Sequence, residues 1–169
     1  MSRVGRLASA LLLVGLAAVG CGAFRPVPLD LAPGQRVVLG RVDLSGFEAK
    51  EGLLEIVRED RAFEYALPVG RTAPEFAIGL PPGRYRLVRL RAGKDRASTP
   101  TQVVWDLGPL TFEVGADPVV YIGTLRFGST FGRLVRVSVV DELEDTLRVL
   151  RRWYPDLPAT AARALVTPA

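Results

Sequence analysis

Phe76-Ala77-Ile78-Gly79-Leu80-Pro81-Pro82-Gly83-Arg84-Tyr85-Arg86-Leu87 holds two runs of alternating side chains with a turn between them. Successive residues of an extended chain point to opposite faces, so Phe76, Ile78 and Leu80 share one side and Ala77 and Gly79 the other. Two prolines then stop sheet pairing, and Gly83 permits the positive φ of a tight reversal. Tyr85 and Leu87 resume the alternation against Arg84 and Arg86. The stretch predicts a strand, a turn and a second strand that re-enters the core at Tyr85.

Working outward, the same period of two recurs. Val38, Val42 and Leu44 alternate with Arg41 and Asp43, Leu54 and Ile56 with Glu55 and Val57, and Phe63, Tyr65 and Leu67 with Glu64 and Ala66. Ser45-Gly46, Glu51-Gly52 and Val69-Gly70 supply turn chemistry between these segments. Between Leu87 and Val88 the phase flips, leaving Val88 and Leu90 apolar and Arg89 and Arg91 charged. One inserted residue would return the apolar side chains to one face, so a β-bulge is predicted here.

Past the polar Lys94–Pro100 segment, Leu110-Thr111-Phe112-Glu113-Val114 alternates cleanly. Val119 to Phe127 is apolar on both faces, with Val119, Tyr121 and Leu125 on one and Val120 and Ile122 on the other, as expected of a central strand. Gly128-Ser129-Thr130 is expected to form a hairpin loop, after which Val135, Val137 and Val139 point inward. Leu143, Leu147, Leu150 and Tyr154 then recur at the spacing of a helix face. Asp141 is positioned to cap that helix, acidic Glu142, Glu144 and Asp145 and basic Arg148, Arg151 and Arg152 suit its dipole, and Pro155 stops it. Ala159 to Ala169 is expected to be loose apart from one weak turn. These elements predict an all-β fold, an antiparallel β-sandwich over residues 35–140, with one C-terminal amphipathic helix and a tail over 141–169 packed on it.

The first 34 residues have a different grammar. Arg3 and Arg6 precede an apolar run from Leu7 to Gly20 that is too short for a bilayer span, which needs about 20 apolar residues. An export signal over residues 1–20 fits better. The run ends in Ala17-Ala18-Val19-Gly20-Cys21-Gly22, with small residues before the sole cysteine. A solitary thiol in an exported protein has no disulfide partner. Pro26, Pro28 and Pro33 mark residues 21–34 as a tether.

The Ala17–Cys21 run resembles the lipobox of bacterial lipoproteins, with Ala18 standing where leucine is commonest. The resemblance implies cleavage between Gly20 and Cys21, a diacylglyceryl group on the Cys21 sulfur and acylation of the new N-terminus. Several acyl chains together hold a protein firmly on a membrane. Gly22, rather than aspartate, after the cysteine implies sorting to the outer membrane, with the body facing the periplasm. The run Phe76–Leu87 in turn resembles the strand, Pro-Pro-Gly turn and strand of carboxypeptidase-regulatory-like or transthyretin-like sandwich modules. That resemblance implies a non-catalytic immunoglobulin- or transthyretin-like sandwich and carries over no active residue.

The inventory of reactive side chains points the same way. The sequence has no histidine, which removes His-based triads, metal sites and general bases. With Cys21 acylated, thiol chemistry goes too, and no cofactor or metal is expected. Glu59-Asp60 and Glu142-Glu144-Asp145 read as a turn and a helix N-terminus rather than as calcium ligands or an acid pair. Arg3 and Arg6 leave with the signal, so the formal charge falls from +4 to +2 and gives no footprint for nucleic acid. Arg84, Arg86, Arg89, Arg91, Arg126, Arg133 and Arg136 would form a basic face for lipid A phosphates or another envelope polyanion if their strands were neighbours. The alternative is a solvated sheet face interleaved with Glu and Asp. Trp105, Tyr121 and Trp153 suit core or helix-docking positions better than a sugar site. The expected role is a non-enzymatic lipoprotein of the cell envelope that binds the membrane through its lipid and has an envelope protein as partner; the other reading is recognition of an envelope glycan or anionic lipid.

Overall fold

The computed structural model describes residues 29–46, 49–60, 63–93, 102–130 and 133–168. Their order is β1 (Arg36–Gly46), β2 (Glu51–Arg58), β3 (Phe63–Gly70), β4 (Glu75–Leu80), β5 (Gly83–Gly93), β6 (Gln102–Val114), β7 (Val119–Thr130), β8 (Arg133–Val140), α1 (Leu143–Trp153), β9 (Ala162–Arg163) and β10 (Thr167–Pro168). One sheet runs β4-β1-β7-β8, with β9 also on β7, and the other runs β10-β6-β5-β2-β3. Neighbours are antiparallel except β1 with β7 and β7 with β9, which are parallel. This is an all-β sandwich with one helix, as the alternation predicts.

The Pro81-Pro82-Gly83 turn carries the chain from β4 in the first sheet to β5 in the second. Gly83 has φ of +154°. Just beyond it, Tyr85 is fully buried and its hydroxyl donates to the carbonyl of Pro81 at 2.6 Å, so the turn is tied to the strand it feeds. The Tyr85 ring stacks on Phe112 at 5.4 Å and meets Tyr65 edge-on at 6.1 Å. Between the sheets Val38, Val42, Leu54, Ile56, Leu87 and Leu90 close the core around it. Each such side chain contributes about 1.5–3 kcal/mol on burial.

Two bulges set the phase of the long strands. In β5, Leu87 pairs with Ile56 and Arg89 with Glu55 of β2, so Val88 is the extra residue on that side, as the phase flip predicts, while on the other side Leu107 to Pro109 of β6 lie opposite it. Leu90 thereby returns to the buried side with Tyr85 and Leu87. In β7 the ladder with β1 slips between Tyr121 and Thr124. Gly123 there has φ of +104°, and a Cβ on it would stand 2.6 Å from Val139 Cγ1. This bulge corrects the sequence reading of β7: Leu125 lies in the inter-sheet core with Val120 and Ile122, not on the face of Val119 and Tyr121. β7 is nonetheless central, flanked by β1, β8 and β9.

Four segments expected as turns or loops are strand instead, Val69-Gly70 at the end of β3 among them. Gly128-Ser129-Thr130 is strand, with Thr130 opposite Arg133. Glu51-Gly52 starts β2 and pairs with Val69 and Gly70, and Ser45-Gly46 ends β1. Glycine and serine at strand ends give the same composition signal as a turn, so alternation could not locate the reversal.

The other face of the first sheet is covered by α1. Leu143, Leu147 and Leu150 pack with Leu157 on Val37, Leu39, Val119 and Tyr121. Leu29 joins this cluster, so ordered packing begins within the segment read as tether. The N-cap residue is Glu142 rather than Asp141, although the Asp141 carboxylate accepts the Leu143 N–H at 3.3 Å. After Pro155 the tail is not loose. β9 pairs with β7, Ala164 and Val166 donate to the carbonyls of Tyr121 and Ile122, and β10 pairs with Thr111 and Leu110 of β6. The tail thus laces one sheet to the other, with Val166 buried between them.

Candidate functional site

The outward face of β5 carries four of the seven arginines singled out above. Arg84 and Arg86 precede the bulge, Arg89 and Arg91 follow it, and all four stand opposite the buried side of that strand. Arg84 sits across from Glu113, Arg86 between Val57 and Thr111, Arg89 between Glu55 and Asp106, and Arg91 between Leu53 and Val104. Every cationic row has a carboxylate or an apolar flank, Val57 in the case of Arg86. The face is a mixed sheet surface rather than a basic one.

At its middle lies Glu55, whose residue surface is only 4% exposed although it points away from the core. Arg89 Nε is 3.1 Å from its Oε2, and Arg91 Nε pairs with its Oε1. One carboxylate is therefore shared by two guanidinium groups, which leaves the trio with one net positive charge, and their stems cover it. Arg84 Nε approaches Glu59 at 3.9 Å. Among the described residues Arg86 has no ion-pair partner. Alternation alone placed Glu55 toward solvent; its burial depends on β2 lying beside β5, which only strand order reveals.

Arg126 and Arg136 belong to the other sheet, so the seven arginines do not form one face. Arg126 pairs with Glu142 and lies 3.9 Å from Asp43, on the side where α1 begins. Arg41 links the same Glu142 to Glu75, each at 3.7 Å. Ser45 holds the Asp43 carboxyl below its ordinary range through hydrogen bonds from its side chain and its backbone N–H, the latter at 2.8 Å, with Arg41 and Arg126 adding to this and burial opposing it. Arg136 is exposed on β8 opposite Gly128, and Arg133 is placed by its backbone opposite Thr130.

Compared with known proteins, the chain matches no family model, no curated protein and no solved structure.

The acidic pairs also resolve into arginine partners. Asp60 lies 2.7 Å from Arg58, Asp145 2.7 Å from Arg148, and Arg163 bridges Asp141 and Glu144 at 2.7 and 3.2 Å. No group of three or more metal-ligating side chains occurs among the described residues. The three aromatic residues are dispersed: Tyr121 is buried under α1, Trp105 is half-buried at the edge of the inter-sheet core, and Trp153 is exposed at the end of the helix. Gly20 and Cys21 lie outside the described residues, where the lipobox resemblance rests on sequence alone. No helix among the described residues is long and apolar enough to cross a membrane.

Proposed function

We propose that this chain is a lipid-anchored, non-enzymatic lipoprotein of the bacterial cell envelope. Its sandwich serves as a structural or protein-interaction module on the periplasmic side of the outer membrane. The observation that carries this reading is the Ala17–Cys21 run, which ends an apolar signal at the sole cysteine of the chain. The folded body supports it in two ways. The outward face of the β5 sheet ties its arginines to carboxylates of its own fold, as in the pairing of Glu55 with Arg89 and Arg91. The chain also lacks histidine, the commonest general base.

Metabolic acyl labelling of the wild type and Cys21→Ala, with separation of inner and outer membranes, tests the anchor. Label on the wild type alone, in the outer-membrane fraction, is the expected result; unlabelled wild type removes the reading. Cross-linking in cells followed by pulldown tests the module role, and recovery of no envelope protein counts against it.

One observation favours a second reading, recognition of an envelope glycan or anionic lipid: exposed Arg86 stands among the β5 arginines with no ion-pair partner among the described residues. Binding of purified lipid A that is lost in Arg86→Gln supports it, and equal binding by both proteins removes it.

A further inference from the structure

The C-terminal end of α1 has an exposed aromatic ring beside cations that the fold does not use. Trp153 is 56% exposed, the highest value among the large apolar side chains exposed on the described surface. Arg151 and Arg152 precede it, both exposed and both without an ion-pair partner among the described residues. One turn earlier Arg148 is paired with Asp145, and Asp156 is the carboxylate that follows. Tryptophan flanked by arginine suits a lipid interface, because its ring is apolar at one end and polar at the other. Arginine near an anionic leaflet adds attraction there.

The course of the N-terminal segment gives this patch its occupant. Leu29 packs on the same cluster as Leu143, Leu147, Leu150 and Leu157, so the chain joins the body on the helix layer and not on the opposite sheet. Eight residues lead from Cys21 to Leu29. Fully extended they reach at most about 28 Å. An anchor at Cys21 therefore keeps the helix layer within reach of the lipid headgroups.

We propose that Arg151, Arg152 and Trp153 dock on an anionic phospholipid surface and orient the sandwich with its helix layer toward the membrane and its β5 sheet toward the periplasm. The inference rests on the lipoprotein reading given above. Each arginine contributes about five-fold to affinity for an anionic surface.

The test uses the full-length gene product purified from bacterial membranes and reconstituted into vesicles of phosphatidylcholine, or of phosphatidylcholine mixed equally with phosphatidylglycerol, with and without brominated acyl chains. Bromolipid quenching of tryptophan emission is expected in the mixed vesicles. It should be weaker in neutral vesicles, weaker in R151Q/R152Q and absent in Trp153→Phe, where only Trp105 still emits. Emission that ignores the bromolipid, or quenching that persists in Trp153→Phe, overturns the docking while leaving the anchor intact. Mass spectrometry of the same sample reads the anchor separately. If Cys21 proves unmodified, the lipoprotein reading fails, and docking is read from sedimentation with the two vesicle types. Sedimentation with the anionic vesicles that drops about 30-fold in R151Q/R152Q supports it. Equal sedimentation with neutral vesicles overturns it.

Discussion

The phenol oxygen of Tyr121 lies 2.9 Å from the backbone nitrogen of Glu142 and accepts its N–H. It also donates toward the carbonyl of Val140 at 3.5 Å and neighbours Thr124 Oγ1 at 3.4 Å. One buried side chain of the central strand thus satisfies a donor at the helix start and fixes where the chain leaves β8. The first amides of a helix have no partner within it, so this contact replaces a side-chain cap, which Glu142 does not provide. Tyr121→Phe should cost about 1–3 kcal/mol in urea unfolding, the usual penalty for orphaning a buried donor. An unchanged midpoint would mean that water reaches the Glu142 amide.

Glu55 and its two arginines should respond asymmetrically. Replacing both Arg89 and Arg91 by Gln leaves a buried carboxylate uncompensated, at a cost of about 3–5 kcal/mol. Replacing Glu55 by Gln leaves two guanidinium groups that are already partly exposed and can be hydrated, so the loss is smaller, about 1 kcal/mol. Chemical denaturation of the two variants separates these outcomes. Equal losses would show that water reaches the Glu55 carboxylate once the arginines are gone, so that it is not left uncompensated.

Tyr85 predicts how the fold fails in alkali. Burial first, and then neighbouring Tyr65, push its phenol from 10.0 up to about 12. The folded state therefore holds the phenolic proton more tightly than the unfolded chain does. The resulting stability is complete below pH 10 and is lost as the pH rises from 10 toward 12, by roughly 2–3 kcal/mol. Tyr85→Phe should be less stable at neutral pH, because the Pro81 carbonyl loses its donor, yet flatter across that alkaline window. A parallel decline in both proteins would assign the alkaline loss to other groups.

Thr146 offers a gain rather than a loss. Its residue is 1% exposed in the face of α1 that meets the sheet, and its Oγ1 has no hydrogen-bond partner among the described residues. Valine has the same shape and a similar helix propensity, without the stranded hydroxyl. Thr146→Val should stabilise by about 0.5–1 kcal/mol in thermal or urea unfolding. A destabilised variant would reveal a water bound at that hydroxyl.

Much of this architecture is legible in the alternation of single strands, and the places where it is not have a common physical cause. Leu87, Val88 and Leu90 betray their bulge because charged residues mark the change of phase. The Gly123 bulge is silent, because both faces of β7 are apolar and a slip leaves no contrast, so alternation puts Leu125 on the wrong side. The fate of the arginines depends on strand order, which alternation does not encode. Arg84, Arg86, Arg89 and Arg91 share a face because they share a strand, whereas Arg126 answers to Asp43 and Glu142 across the other sheet. The proposed anchor at Cys21 is the reverse case, resting wholly on sequence.

The tail is the last element that alternation misses, because two-residue strands are too short to show a period. Ala162, Ala164 and Val166 act mainly through their backbones, which extend the ladder of β7, while Val166 and Leu165 fill the two cores on either side. Removing residues 161–169 should leave part of the β7 edge unpaired beside β8 and open the inter-sheet core at Val166. Lost burial and hydrogen bonds together should cost about 3 kcal/mol or more. Val166→Ala alone should cost about 1–3 kcal/mol, since it leaves the backbone pairing in place. Urea midpoints for the two proteins, with amide exchange at Gly123 and Thr124 as the local readout, distinguish a lacing strand from a passive tail. Native stability in the truncated chain would assign the tail no part in holding the two sheets together.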